Sequence, residues 1–486
     1  MGLLTRLSHS LPALLVCLLA GSVAGLYAPS AGDFAYVAAQ VYLSVVSMAA
    51  IPLLVVATFF GLRQTIALPF PGRRIAMIAG LALAIVAACA AVGVTAGSVV
   101  SPGAHLGSDA RGQLGALVMR AGNGGDEAID LLADGHQVAS APDPRPWRTL
   151  LPDNFFRALS EGRSLGILTC ALLFGMGFAT LSRAQNQTLA NLFEAVYRAL
   201  ELIIARANIL LPVVAFGIAA HVMTVTEPAT LLAMGGFLLQ FGALAVLLSA
   251  VAIGIVSRRS GLPLPAVLAH LKAPMLVGIV SSSTTASIPH TIEAMSARLG
   301  FSRGIVELVV PTASVFLRAG SALYYVLVAL FVAGLYDRAL DAADIGMVCV
   351  GATVAAFASA GNNSLTNVGF AGMVLALLQL PGEAALALFL AVDLICEGPR
   401  NLLTLLAACA LIAIVSAGLP SERQTAATEL PAAPPQPVRF VFSRPQLALL
   451  AGGTLVAALL VVLLGVGVGA SRSTAPPPAP PSGVLR

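Results

Sequence analysis

Residues 267–300 read VLAHLKAPMLVGIVSSSTTASIPHTIEAMSARLG: one apolar arm, a hydroxyl-rich centre at 281–287, and a second arm entered through Pro289. Neither arm has the roughly 20 apolar residues that cross a hydrocarbon core of about 30 Å. Polar backbone at that depth is tolerated only where it is buried in protein or lines a cavity. The stretch therefore predicts a helical hairpin that enters the bilayer and turns back. Residues 345–381, IGMVCVGATVAAFASAGNNSLTNVGFAGMVLALLQLP, have the same apolar–polar–apolar pattern and predict a second hairpin, with Asn362, Asn363, Ser364 and Asn367 at its tip. Arg298 and Arg303 place the first hairpin on the cytoplasmic face, whereas Asp337, Asp341 and Asp344 suit entry of the second from outside.

The rest of the chain agrees with a membrane setting. Of 486 residues, 58% are hydrophobic and only 10% charged, and the mean hydropathy is +0.93. The fold class expected is an all-α polytopic membrane protein, and no soluble domain of independent size is left over. Earlier spans are read near residues 8–28, 39–61, 75–100, 163–182, 193–224 and 229–256. Arg63, Arg73 and Arg74, then Arg183 and Arg198, then Arg258 and Arg259 mark three loops as cytoplasmic and put the N-terminus inside. The first apolar run resembles a secretory signal but reads as a retained helix, with Arg6 ahead of it. The net charge of +4 resides in loops without interleaved aromatics, so the bilayer and not nucleic acid is the expected partner.

Between the hairpins, residues 307–334 form a span interrupted at Leu317–Ser321 (LRAGS), carrying Arg318 at depth. A broken helix flanked by opposed hairpins is a substrate-site signature of secondary transporters. Residues 391–415 then read AVDLICEGPRNLLTLLAACALIAIV. At 100° per residue, Asp393, Glu397, Arg400 and Thr404 fall within about 60° of one another on one helix face. Ionisable groups at that depth must face a bundle interior or a watery cavity, and they mark a transport pathway. Pro399 leaves the Ile395 carbonyl without its helical donor and should kink this helix.

These residues carry a family resemblance. The run from Ser281 to Val326, with Pro289, the Leu299–Gly300 pair, Pro311 and GSALY at 320–324, is similar to the serine-rich first hairpin and following helix of the dicarboxylate/amino acid:cation symporter family. Residues 41–62 resemble that family's second helix, so the likeness covers about 30–415. It implies a glutamate-transporter-like fold with eight transmembrane helices and two re-entrant hairpins, assembled as a homotrimer. It also implies a small anionic substrate, a dicarboxylate or acidic amino acid. Arg400 occupies the place of the arginine that clamps the substrate's distal carboxylate, a task suited to a planar donor fork. Glu397 lies where amino-acid carriers keep an Asp that meets the substrate ammonium, so it is read either as that contact or as a proton carrier; pairing with Arg400 across one turn is the structural alternative. Asp393 is expected to support Arg400. Ser283 and Thr284 match the hairpin-tip hydroxyls, and Ser321, Asn401 and Thr404 complete the expected substrate-binding set.

Two departures bear on coupling. The resemblance implies Asn-Met/Leu-Asp-Gly-Thr in the broken helix and a further Asp one turn past the Thr404 position; this chain has Leu317, Arg318, Ala319, Gly320 and Ser321, and Ala408. Sodium requires hard oxygen ligands, so no metal site is expected and the proton, not sodium, is the expected coupling ion. Arg318 is read as the internal charge that substitutes for a bound cation: with Arg400 it offsets Asp393 and Glu397. No cofactor is expected.

Other chemistry finds little support. His270 and His290 flank the first hairpin, with a proton relay as the functional alternative. The six cysteines sit in apolar segments without CxxC spacing. HExxH is missing and no Ser and His pair in a recognisable arrangement, which argues against a membrane enzyme; the competing classes are a sodium-independent exchanger and a non-transporting receptor built on the same fold. The expected organisation is residues 1–262 for helices 1–6, including an external loop at 103–150, and 263–415 for the hairpins, broken helix and last family helix. A cytoplasmic Pro-rich linker at 416–445 leads to an extra transmembrane helix at 446–470 and a Pro-rich external tail at 471–486. The location implied is the cytoplasmic (inner) membrane.

Overall fold

A computed structural model describes residues 11–27, 29–66, 71–100, 154–160, 164–179, 183–225, 228–360, 364–380 and 382–417, together with Gly103, Gly112, Leu114 and Leu419. Most of the expected external loop, the second hairpin's tip at 361–363, the linker, the extra span and the tail lie outside the described residues.

Every regular element among the described residues is helical. The first part of the chain forms α1 (Leu11–Tyr27), α2 (Pro29–Ile66), α3 (Pro71–Val100), α4 (Phe155–Ser160), α5 (Ser164–Ala179), α6 (Arg183–Ala207), α7 (Leu211–Val225), α8 (Pro228–Ala233) and α9 (Gly235–Ser260). The second part forms α10 (Leu264–Val280), α11 (Ile288–Glu293), α12 (Arg303–Phe316), α13 (Ala319–Leu335), α14 (Ala342–Ala358), α15 (Ser364–Leu377) and α16 (Gly382–Val415). Among the described residues six helical runs are long and apolar enough to cross a membrane, and two of the expected spans are shorter: α1 has 17 residues and α5 has 16.

Local signals explain several boundaries. α9 stops at Gly261, whose φ of +69° is the left-handed cap that a residue without Cβ adopts freely. α14 begins with a capping box in which the Asp344 amide donates to the Asp341 side chain at 2.7 Å and the Asp341 amide donates back to Asp344. Each of the two apolar–polar–apolar segments folds back on itself: α10 packs against α11 and the π-helical turn at 294–298, and α14 packs against α15.

α13 is the centre of the bundle. All its residues from Ala319 to Ala333 are buried, surrounded by α3, α14, α15 and α16. A helix apolar on every side and buried on every side is expected at the middle of a large core. A smaller core joins Leu14, Tyr42 and Val214 of α1, α2 and α7 to Leu276, Val280 and Ala286 of the first hairpin. α1, α2 and α7 approach closely because Gly21, Gly25 and Gly217 leave room for backbone where a Cβ would collide.

Candidate functional site

The site forms where α16 passes the first hairpin's tip and the break between α12 and α13. Leu317 and Arg318 leave helical geometry, with ψ of 68° and 49°, and the chain resumes as α13 at Ala319. Gly320 lies so close to α16 that a Cβ would overlap the Arg400 carbonyl. Its N–H donates to Thr404 Oγ1 at 3.2 Å, and that hydroxyl donates to the Arg400 carbonyl at 3.0 Å. The break and the last helix are thereby locked at one point.

Arg400 is 2% exposed yet carries a full charge into the interior. Its Nη1 donates to Asp393 Oδ1 at 2.8 Å and its Nη2 to Asp393 Oδ2 at 3.3 Å. This two-point geometry is the strong form of the guanidinium–carboxylate pair, and it leaves Nε and a second proton on each terminal nitrogen. The ring of Tyr324 lies 4.8 Å beneath the guanidinium carbon, a cation–π arrangement strengthened by loss of water. Phe237, Phe241 and Phe389 meet Tyr324 edge-on and hold it in place. Tyr324 is absent from the sequence-derived site; its spacing of four from Gly320, which puts both on one face of α13, is the signal that could have found it.

At the hairpin tip, Ser282 adopts φ +49°, a left-handed conformation unusual for a residue with a side chain. Asn401 Nδ2 donates to the Ser282 carbonyl and ties this turn to α16. The Ser283 and Thr285 hydroxyls pair at 2.8 Å, and the Thr284 hydroxyl donates to the Ser314 carbonyl of α12 at 3.3 Å. These hydroxyls thus organise the tip and dock it on the broken helix. Ser321 Oγ is buried without a hydrogen bond.

The structure brings Asp393, Arg400, Asn401 and Thr404 together with the tip and the break. Glu397 is half-buried on the same helix, within electrostatic reach of both Arg400 and Arg318. Arg318 in turn interacts with Tyr325 and Arg400. α16 runs as one helix through Pro399. Asn362 and Asn363 lie outside the described residues, as do the side chains of Ser364 and Asn367. Ala319 and Ala408 are buried, and among the described residues no three His, Cys, Asp or Glu side chains gather as a metal site. His290 is half-buried beside Asn208, whose Nδ2 lies 2.8 Å from His290 Nε2 and whose Oδ1 accepts the Tyr42 hydroxyl at 2.8 Å.

A family model described as the sodium:dicarboxylate symporter family matches residues 11–418. The chain belongs to that family. It is 25% identical to the C4-dicarboxylate transport protein of Stenotrophomonas maltophilia over 411 residues, 83% of this chain and 86% of the relative. It is also 25% identical to C4-dicarboxylate transport protein 3 of Bradyrhizobium diazoefficiens, over 66% of this chain and 69% of the relative. The proton/sodium-glutamate symport protein of Bacillus subtilis is 32% identical over a shorter stretch, 38% of this chain and 43% of the relative. The molecule is accordingly a multi-pass membrane protein of a transporter family and not an enzyme.

Proposed function

We propose that this chain is a secondary active carrier that moves a small dicarboxylate or acidic amino acid across the cytoplasmic membrane by alternating access, as a homotrimer. The observation that carries this reading is the buried Arg400 fork, held by Asp393 between the Ser282 tip and the helix break. In this reading the two folded-back helix pairs are re-entrant hairpins entering from opposite faces, and the N-terminus is cytoplasmic. The remaining Arg400 donors take a substrate carboxylate, while Asp393 positions the guanidinium. Ser283, Thr284, Ser321, Asn401 and Thr404 supply polar contacts around it. The C4-dicarboxylate and glutamate named for the relatives suggest the substrate class.

Coupling to the proton follows from the same site. Glu397 is half-buried on the same helix, one turn from Arg400, and it carries the proton or meets a substrate ammonium. Arg318 supplies internally the positive charge that a bound cation would provide, because Ala319 and Ala408 offer no oxygen ligand. The test is uptake of labelled succinate, aspartate and glutamate by protein in liposomes, with and without sodium and a proton gradient. Proton-driven uptake that persists without sodium and disappears in Arg400→Ala supports the proposal; strict sodium dependence would sink the role given to Arg318. Sodium-independent exchange is the second reading, favoured by the proximity of Arg318 to Arg400 and Glu397, and counterflow without any gradient would identify it. Ligand-induced thermal stabilisation without flux would indicate a receptor.

A further inference from the structure

A second site lies against the broken helix, with a lining that includes neither Asp393 nor Arg400. A cavity of about 320 Å³ opens there, lined by α2, α3, α5, α12, α14 and α16. Ile75, Ile78, Ala79 and Ala82 form its α3 wall, the spacing of a single helix face over about 10 Å of rise. Leu317 of the break and Phe357, two residues before Ser359 of the second folded-back pair, also line it. The one hydroxyl in the lining, that of Thr312, donates back to the Leu308 carbonyl at 2.7 Å. The lining is otherwise apolar among the described residues, so water has few partners there.

Charge stands at one end of this apolar slot. Arg73 is exposed in the first turn of α3, just before Ile75, where the helix begins to line the cavity. Arg74 is half-buried, and its Nη1 donates to the Val415 carbonyl at 3.1 Å. Val415 is one helical turn beyond Leu411, which lines the cavity. Two guanidiniums at the boundary of a span, beside a slot of hydrocarbon character, match the two ends of one molecule class that a membrane protein meets at high concentration.

We propose that this cavity holds an acyl chain of an anionic phospholipid whose phosphate is taken by Arg73 and Arg74. The chemistry is that of juxtamembrane basic residues, which attract anionic headgroups, combined with burial of methylene groups against apolar side chains. Because Leu317 lines the slot, the seated chain packs against the break that positions Gly320 and Arg400. Occupancy therefore supports the helix geometry of the transport site from behind.

Native mass spectrometry of the full chain in detergent tests this, with dioleoyl phosphatidylglycerol or dioleoyl phosphatidylcholine added. The expected result is one phosphatidylglycerol retained per chain in preference to phosphatidylcholine. Arg73→Gln, at an exposed position, should weaken retention about fivefold. Ala82→Phe should abolish it by filling the slot, and Ala79→Leu serves as a smaller filler if the phenylalanine variant does not fold. Equal retention of the two lipids, or undiminished retention with the slot filled, would overturn the proposal, as would displacement by glycerol phosphate, which has the headgroup charge and no chain.

Discussion

Gly320 rests directly on the backbone of Arg400, in a contact that has no room for a β-carbon. The hydrogen bonds through Thr404 close the same junction. Two helices from different parts of the chain are thus registered at the one residue whose charge must be aimed. Gly320→Ala should push α13 and α16 apart, costing about 1–3 kcal/mol as overpacking does, and should abolish transport. Gly278→Ala is the control, since that buried glycine of α10 has open space around it. Thermal unfolding and uptake of the two variants check the contrast: a large effect at 320 and little at 278.

Asp393 and Arg400 are a buried pair, 4% and 2% exposed at the side chain. Removing one partner leaves an uncompensated charge, with a cost of about 3–5 kcal/mol. Asp393→Asn should therefore lower stability strongly, whereas the double variant Asp393→Asn with Arg400→Gln should recover part of that loss while remaining inactive. A double-mutant cycle of thermal stability reads this coupling.

Tyr324 supports the guanidinium by its ring face. Tyr324→Phe should keep stability and substrate affinity within a small factor, because the face is retained. Tyr324→Leu should lose about 1–2 kcal/mol of that support, seen as weaker substrate stabilisation in thermal-shift titrations.

Asn401 and Ser282 make a fourth test. Asn401→Leu removes the donor to the Ser282 carbonyl and should cost about 1–3 kcal/mol, the penalty for leaving a buried acceptor without its bond. Ser282→Gly should be tolerated or mildly stabilising, since φ of +49° suits glycine. Ser282→Val should be strongly unfavourable, because a β-branched side chain is a poor fit there. Melting temperatures of the three variants, measured together, check the order.

The broken helix and the polar stripe were legible because an ionisable or unwound residue in an apolar segment has few permitted environments. Arg318, Asp393 and Arg400 announce a protein interior before any packing is known. The choice of partner was not legible. Arg400 had a carboxylate one turn away in Glu397 and another two turns away in Asp393, and its fork closes on the more distant one. Tyr324 was hidden in the same way: among the many apolar and aromatic residues of residues 307–334, only the approach of α16 distinguishes it. The hydroxyls of Ser283 and Thr284 are expected as substrate contacts, and in the structure they pair with Thr285 and bond the Ser314 carbonyl.

The amino-acid order alone dictated that the chain lives in a bilayer, that two segments turn back at hydroxyl- or amide-rich centres, and that one helix face carries charge. Tertiary structure decided which apolar faces meet protein. α3 and the α12–α13 span are both apolar enough to cross a membrane, yet only 17% of the former's apolar window is buried, against 89% of the latter's. The reason is that lipid tails are as apolar as leucine, so periodicity in a membrane helix does not separate the face that packs from the face that meets lipid. That assignment, and with it the placement of Gly320 under Arg400, arises only when the helices come together.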